Sequence, residues 1–293
     1  MNTPRRHSSA HHGFSLLEMI GVLALVGIFA AVITPNLAQS VSRTAGAKED
    51  ALLETIGDGL VDYVLSHQII PNDSQWAAAV VSATDLSLNE VTYCNPSGTR
   101  STRIYVIDPA FQPSDLTADP ALLTSASSAP LWTQTSAGAS TVANARILIL
   151  SVHKPGLYLP LKSGFASSST AFENIWSWNL DPKTDAPPTG WSSDWTGNGE
   201  YLHVKRINLA PYFHRVTFSN TQYPTEIPYY QVGSDSVVLL SSASAFDALF
   251  LQGSFVRVYE DNESAVSPGA LQISHTITGP DNFIYASDLW QMH

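Results

Sequence analysis

A run of apolar residues close to the N-terminus constrains this 293-residue chain more than any other feature. Residues 14–33 read FSLLEMIGVLALVGIFAAVI and contain a single charge, Glu18, before Thr34 and Pro35 end the run. A helix of about 20 apolar residues is long enough to span a bilayer. The preceding residues 1–13 are polar and carry two arginines but no acid. A positive flank before an apolar run predicts a cytoplasmic N-terminus, with the remainder of the chain across the membrane.

Glu18 is not explained by either of the two ordinary interpretations of this apolar run, a secretory signal peptide or a plain membrane anchor. A secretory signal peptide has an apolar core of roughly 7–15 residues and a small-residue cleavage site. A plain single-pass anchor needs only apolar residues, and a carboxylate within the run costs roughly 2.5–3.5 kcal/mol on insertion scales. The α-amino group created by cleavage just before Phe14 is the natural partner. Between two staggered chains, Glu18 of one would neutralise the amine of the next and set the register of a bundle.

The segment Gly13-Phe14-Ser15-Leu16-Leu17-Glu18 resembles the class III signal of type IV pilins and type II secretion pseudopilins. In that family a prepilin peptidase cuts after the glycine and methylates the new N-terminal residue. The resemblance implies a cut between Gly13 and Phe14, methylation of Phe14, and a role for Glu18 in guiding assembly. It also implies that Pro35 kinks or melts the helix at the end of the apolar segment. The resemblance is specific because several independent features coincide. Glycine, phenylalanine and glutamate occur at fixed spacing, and Glu18 is the one charge in the apolar run.

The resemblance implies a structural role rather than an enzymatic one. The chain would be a minor or specialised subunit of a type IV pilus or a type II secretion pseudopilus. Its partners would be the prepilin peptidase, other pilin-like subunits that pack through their helices, and an inner-membrane assembly platform. It would begin as a single-pass inner-membrane protein with a periplasmic head, and end in a periplasmic or cell-surface filament. The retained Glu18 weighs against the tip subunit of the secretion pseudopilus, which in the family typically lacks this acid.

The chain divides into four predicted segments. These are a cytoplasmic leader at 1–13, a transmembrane helix at 14–35, an amphipathic continuation of the helix at 36–69 and a β-rich extracytoplasmic head at 70–293. The continuation is predicted from apolar residues that recur at helical spacing, namely Leu37, Val41, Ala45, Leu52, Ile56, Leu60 and Val64. Its polar face consists of Arg43, Lys48, Glu49, Asp50, Glu54, Asp58 and Asp62.

The predicted head begins with a short second helix over residues 72–83, with Asn72 or Ser74 as its N-cap. The chain beyond it is rich in Ser, Thr, Pro and Gly, and short β-prone runs lie between them. The interval 112–142 is predicted to be a long surface excursion. Strands are predicted at 91–95, 103–108, 146–153, 156–161, 201–208, 214–219, 236–240, 254–260, 270–277 and 283–286. The fold class is therefore α+β, with a long N-terminal helical spine packed on a mainly antiparallel β head.

Composition excludes several classes of function. Charged residues make up 13% of the chain and the formal net charge is −11, so no nucleic-acid partner is expected, because phosphates require a basic stripe. Cys94 is the only cysteine, so it is predicted to be a buried small hydrophobe rather than part of an intrachain disulfide or a cysteine-rich zinc site. The G-x-S-x-G, H-E-x-x-H and G-K-[ST] motifs of hydrolases, zinc proteases and phosphate loops do not occur.

One loop suggests a metal ion. Asp194, Thr196, Asn198 and Glu200 place oxygen side chains at alternate positions, with glycine between the later ones, a spacing that lets side chains converge on Ca²⁺. Against calcium, Lys205 occupies the position where an EF-hand would place its bidentate glutamate. The other interpretation is a β-turn rich in turn residues. A second acidic cluster, Glu260-Asp261-Asn262-Glu263, is interpreted as a solvated hairpin tip, with calcium as the alternative. No other cofactor is expected.

Aromatic residues concentrate between Phe172 and Tyr230. Buried, they would form the core of the head, which is the favoured interpretation; exposed, they would stack on sugars or grip a partner subunit. The spacing of Trp176 and Trp178 suits one face of a strand. Two alternatives to a filament subunit remain open. One is a membrane-tethered module whose head binds a carbohydrate or protein ligand, and the other is an anchored hydrolase whose Ser, His and Asp side chains meet only in space.

Overall fold

The structure is a computed structural model of the whole chain. It describes residues 16–68, 70–94, 101–109, 145–154, 156–160, 162, 168–181, 183–191, 195–220, 229–232, 238–239, 245–260, 269–286 and 289–293. The excursion predicted at 112–142 lies outside these residues. The chain forms two compact units, Met1–Ala47 and Lys48–His293.

Helix α1 extends from Leu16 to His67 and contains 52 residues. It continues through the backbone of Pro35, so the helix is not melted there, and a kink at this proline stays a prediction. Proline removes a single N–H from the ladder, the one that would bond to the carbonyl of Ala31, and the turns on either side keep their own bonds. The hydroxyl of Thr34 also donates to the carbonyl of Ala30 at 2.6 Å.

The membrane-spanning segment predicted at 14–35 is not confirmed. Among the residues that the structure describes, no helix is sufficiently long and apolar to cross a membrane.

In the second unit, α1 packs on the head through Leu53, Ile56, Leu60 and Val64, which are all buried. Leu53 therefore replaces the predicted Leu52, which is only partly buried. The predicted polar face is wrong at Glu49, which is 5% exposed. Its burial follows from the helix itself, because Glu49 lies four residues before Leu53 and seven before Ile56, on the same stripe.

Two short helices follow α1. Helix α2 covers Trp76–Ala83 and begins four residues later than predicted. Its N-cap is Gln75, so the predicted N-cap at Asn72 or Ser74 is wrong. Asn72 instead accepts hydrogen bonds from the backbone N–H groups of Ser74 and Gln75 in the turn before the helix. Helix α3 covers Leu88–Thr92, where a strand was predicted at 91–95. A capping box between Ser87 and Glu90 starts this helix, because each side chain bonds to the other residue's backbone N–H. The extended conformation is limited to β1, Tyr93–Cys94, which pairs with β2, Ser101–Thr102.

An antiparallel sheet of three strands lies at the centre of the head. Its order is β3-β4-β5, with β3 at Ile104–Ile107, β4 at Arg146–Val152 and β5 at Leu202–Asn208. Helices α1 and α2 cover one face, where they meet Tyr105, Ile107, Ile147, Ile149 and Ile207. Helix α4, Ser169–Trp176, covers the other face, where its Phe172 and Ile175 meet Val106, Leu148 and Leu150. The sheet is covered on both faces, which explains the nearly continuous apolar runs of β3 and β4.

The C-terminal half forms two four-stranded sheets. One has the order β13-β12-β6-β9 and the other β11-β10-β7-β8. Their strands are β6 Phe213–Ser219, β7 Tyr229–Val232, β8 Val238–Leu239, β9 Ala245–Leu251, β10 Phe255–Tyr259, β11 Leu271–Thr276, β12 Asp281–Ala286 and β13 Leu289–Met292. A shared core that includes Phe218, Tyr230, Val258, Phe283 and Trp290 joins the two sheets. All described pairings are antiparallel except β6 with β12, so the predicted α+β class with a mainly antiparallel head is confirmed.

The sequence misleads at α4. The predicted strand at 156–161 has no strand among its described residues 156–160. The segment 169–176, for which no element was predicted, is a helix. The Ser168 hydroxyl caps this helix by accepting from the backbone N–H of Ala171. Trp176 therefore ends a helix and Trp178 follows it, so the two do not share a strand face.

Candidate functional site

The structure describes the two predicted assembly residues, Glu18 and Pro35, but not the two predicted processing residues. Gly13 and Phe14 lie outside the described residues. Glu18 lies in the first turn of α1 with an exposed side chain. The side chain of Pro35 is not described, although the helix continues through its backbone.

Glu18 is surrounded by exposed apolar side chains. Their exposed fractions range from 53% at Val22 to 80% at Leu17. The exposed set is Leu16, Leu17, Met19, Ile20, Val22, Leu23, Leu25, Val26, Ile28 and Phe29. At 100° per residue these positions point in every direction around the helix, so burying them requires apolar surroundings on all sides. Lipid and a bundle of similar helices both meet that requirement.

A buried ion pair joins α1 to the head. Arg103 Nε donates to Glu49 Oε1 at 2.7 Å and Arg103 Nη2 donates to Glu49 Oε2 at 2.8 Å, a bidentate geometry. The third nitrogen of Arg103, Nη1, donates to the carbonyls of Glu90, Val91 and Tyr93. One guanidinium thus ties the spine to the end of α3 and the start of β1.

The environment of Glu49 keeps it ionised. Burial by itself would raise the pKa of Glu49, but the hydrogen bonds and charge of Arg103, with a hydrogen bond from Ser151 at 2.5 Å, lower the pKa below its ordinary value. Cys94 lies beside this carboxylate and is buried, as predicted. Burial, and then the negative charge of Glu49, raise the pKa of Cys94 to about 12. The thiol therefore stays protonated and unreactive at neutral pH.

A chain of hydrogen bonds lies next to the ion pair. Asp50 Oδ1 is 2.5 Å from His203 Nδ1, and His203 Nε2 is 2.6 Å from His153 Nδ1. A neutral imidazole has one donor and one acceptor nitrogen, so Asp50 holds the Nδ1–H of His203 and leaves its Nε2 to accept from His153. If both imidazole rings carried a proton on each nitrogen, the N–H groups at His153 Nδ1 and His203 Nε2 would face each other with no acceptor between them. We call Glu49, Asp50, Arg103, Ser151, His153 and His203 together the junction cluster.

The junction cluster does not assemble a Ser-His-Asp hydrolase triad. Asp50 and His203 form an Asp–His pair, but the second nitrogen of His203 meets His153 instead of a serine hydroxyl. The nearby Ser151 hydroxyl donates to Glu49. The arrangement suits the attachment of a helix to a sheet.

We expect the head to become less stable as the pH falls below about 6.5. Burial, and then the charge of His203, lower the pKa of His153 below its ordinary value of 6.5, although Glu49, Glu200 and Asp50 oppose this shift. The unfolded chain therefore takes up a proton at His153 at a higher pH than the folded one. Neutral His153 therefore contributes fully to the stability of the head above about pH 6.5. This contribution is lost as the pH falls through the lowered pKa that His153 has in the folded state.

The free energy of unfolding, measured by denaturant titration of the full-length protein at a series of pH values, tests this prediction. The His153→Gln variant should lose part of the pH dependence in the acidic range below about pH 6.5. His67→Gln, which removes an exposed histidine at the end of α1, should keep it. An identical pH dependence in wild type and His153→Gln would contradict the assignment.

The candidate calcium loop is only partly described. Asp194 lies outside the described residues, and Thr196 and Asn198 are exposed. Glu200 belongs to a short 3-10 helix, Gly199–Tyr201, and its backbone N–H donates to Asp185 Oδ1 at 2.7 Å. Within the described parts of the chain, no three His, Cys, Asp or Glu side chains come together as metal ligands. Calcium binding at this loop stays a prediction.

The aromatic residues of the middle segment mainly serve the core. Phe172, Trp195, Phe213, Tyr229 and Tyr230 are buried. Trp176, Trp178, Trp191, Tyr201 and Tyr212 are partly exposed and pack against the apolar clusters. Tyr223 lies outside the described residues. The favoured interpretation of a core role is confirmed for the five buried residues. The partly exposed residues pack on the core and also reach the surface.

The junction cluster was not predicted from the sequence, although one signal for it was present. Glu49 continues the buried stripe of Leu53, Ile56, Leu60 and Val64 at helical spacing, and a charge on such a stripe requires a buried partner. No comparable signal identifies that partner, because Arg103 is 54 residues away in sequence.

Comparison with protein families matches residues 8–34 to the prokaryotic N-terminal methylation motif. Comparison with curated proteins finds no match, and comparison with solved structures finds none. The matched residues include Gly13, Phe14 and Glu18 and end immediately before Pro35. The N-terminal segment therefore carries the prokaryotic N-terminal methylation motif, which is the signature of the prepilin-type signal of type IV pilins and pseudopilins.

Proposed function

We propose that this protein is a structural subunit of a filament of the type IV pilus or type II secretion pseudopilus class. The observation that carries the proposal is the apolar surface around all sides of α1 between Leu16 and Phe29, interrupted by Glu18 and contained within the matched motif. Such a surface needs lipid before assembly and neighbouring helices afterwards. One segment of helix thus serves both as anchor and as assembly element.

The proposed assembly step rests on a charge pair. Prepilin peptidase removes residues 1–13 and leaves Phe14 with a free α-amine, which is then methylated. The amine of a membrane-inserted subunit meets Glu18 of the subunit already in the filament. In apolar surroundings an unpaired carboxylate is costly, so only the register that pairs the two charges is favourable. The surrounding apolar side chains supply cohesion and Glu18 sets the stagger.

The head is proposed to face away from the helical core of the filament. The junction cluster holds it on α1, so that a force on the head reaches the spine through Glu49 and Arg103. We assign the subunit a minor or specialised role, because a head that spans 70–293 is large for a major subunit. Its role is mechanical, and the proposal gives it no catalytic step.

Co-expression with a prepilin peptidase tests the processing step. We expect the full-length chain to shorten by the leader, residues 1–13, and the Gly13→Leu variant to remain uncut, because a side chain at the scissile position obstructs the peptidase. Phe14→Leu is the control, since it changes the neighbouring residue to another large apolar one. Equal processing of wild type and Gly13→Leu would refute the assigned cleavage site.

A further inference from the structure

The head contains a cavity that the filament role does not use. It has a volume of about 200 Å³ and lies between the N-terminal half of α4 and the turn at 188–191. Its walls are formed by Ser168, Thr170, Ala171, Asn174, Ile175, Thr189, Gly190 and Trp191. It lies on the opposite side of the central sheet from α1.

The wall of the cavity combines one aromatic ring with several uncommitted polar groups. Trp191 is partly exposed, and its ring is fixed edge-to-face against Trp195 with 5.7 Å between centroids. Among the described residues, the Asn174 amide and the hydroxyls of Thr170 and Thr189 have no hydrogen-bond partner. Side chains with unused donors and acceptors around an aromatic ring favour a ligand that carries both hydroxyl groups and an apolar face.

The turn lies against Asn174 of α4 at the cavity wall. Gly190 has a φ of +77°, and a Cβ built on it would lie 3.4 Å from Asn174 Nδ2, an ordinary contact distance. Glycine is therefore favoured here by the left-handed conformation of the turn. The backbone N–H of Trp191 donates to the carbonyl of Pro188 at 3.0 Å, which closes the turn.

The described lining of the cavity carries no charge. None of the residues that the structure describes along its wall is ionisable. Glu173, the acid on this part of α4, pairs with Arg146 at 2.8 Å. A phosphate, a carboxylate or an ammonium group would find no counter-charge among these described residues, which disfavours nucleotides, free amino acids and acidic sugars.

We infer that this cavity binds one neutral sugar unit of a glycan. Its volume is below the roughly 300–1,000 Å³ of clefts that hold drug-sized ligands, which restricts the occupant to a single small ring with its substituents. The apolar face of the sugar lies against the indole of Trp191. Its hydroxyl groups bond with Asn174, Thr170 and Thr189. The inference gives the head a binding role of its own, and it holds whether or not the chain assembles into a filament.

A glycan array probed with the full-length protein tests this inference. The array carries neutral mono- and disaccharides beside sialylated and sulfated glycans, and the protein is held in a detergent that contains no sugar. We expect binding to neutral sugars, with affinities then measured by calorimetry. The double variant Asn174→Ala/Thr170→Val should weaken binding roughly tenfold or more, because it removes two hydrogen bonds.

Asn179→Ala is the matched control, because it makes the same change at an exposed position that does not line the cavity. Each variant is compared with the wild type by thermal unfolding, so that lost binding is not confused with lost structure. Wild-type affinity in Asn179→Ala together with weakened binding in the folded double variant would support the site. Three results would overturn it: no binding to any neutral sugar, binding to charged glycans alone, or unchanged binding in the double variant.

Discussion

Glu49→Gln is expected to destabilise the head by about 3–5 kcal/mol, because it leaves a buried guanidinium without its counter-charge. The Arg103 side chain is fully buried and donates both Nε and Nη2 to the Glu49 carboxylate. Glutamine keeps the size of the side chain and one acceptor oxygen, but it places an amide where the second acceptor was. The loss should appear as a lower denaturation midpoint in denaturant titration of the full-length protein.

Glu54→Gln is the matched control for this prediction. The same substitution lies five residues further along α1, and Glu54 also pairs with a cation of the sheet, Lys205, at 2.6 Å. The Glu54 side chain is 66% exposed, so its pair is expected to contribute no more than about 1 kcal/mol. If the two variants lose equal stability, burial does not determine the strength of these pairs and the role assigned to Glu49 is wrong.

Glu18→Leu is expected to reduce filament assembly roughly tenfold or more, while membrane insertion and cleavage continue. A more apolar residue favours insertion, and Gly13 and Phe14 are unchanged at the cleavage site. Assembly falls because the α-amine of Phe14 then has no carboxylate to neutralise it in apolar surroundings. A loss of about 1.4 kcal/mol already corresponds to a tenfold change in equilibrium. The measurement is the fraction of subunit recovered in sheared or pelleted filaments.

Met19→Leu serves as the control for Glu18→Leu. It changes the adjacent exposed residue and keeps the apolar surface of α1 intact. We expect it to assemble as the wild type does. Normal incorporation of Glu18→Leu into filaments would refute the role of Glu18 in setting the stagger.

The parts of the fold that depend on periodicity could be predicted from the sequence. The spine was predicted because apolar residues recur along α1 at helical spacing, and strands β3 to β6 were predicted because their short apolar runs lie between turn residues. Strands β7, β9 and β13 were not predicted. Two other failures arose where a local hydrogen bond decides the structure. The capping box at Ser87 and the cap at Ser168 each start a helix in a segment whose composition also suits a strand.

The pairing of distant segments could not be predicted in this way. The parallel pair of β6 with β12 joins residues 213–219 to 281–286, and nothing local in either strand identifies the other. The same applies to Arg103, which Glu49 requires but does not specify. At the N-terminus the reverse holds: Gly13, Phe14 and Glu18 form a local motif, so the sequence alone indicates their role although two of them lie outside the described residues.

Mass spectrometry of the mature N-terminus tests the central claim most directly. The protein is isolated from cells that contain a prepilin peptidase, and its N-terminal peptide is sequenced. We predict that the chain begins at Phe14, that this residue carries an N-methyl group, and that residues 1–13 are absent. A chain that still begins at Met1, or one cut beyond Ala31, would contradict the assignment of this protein as a processed pilin-like subunit.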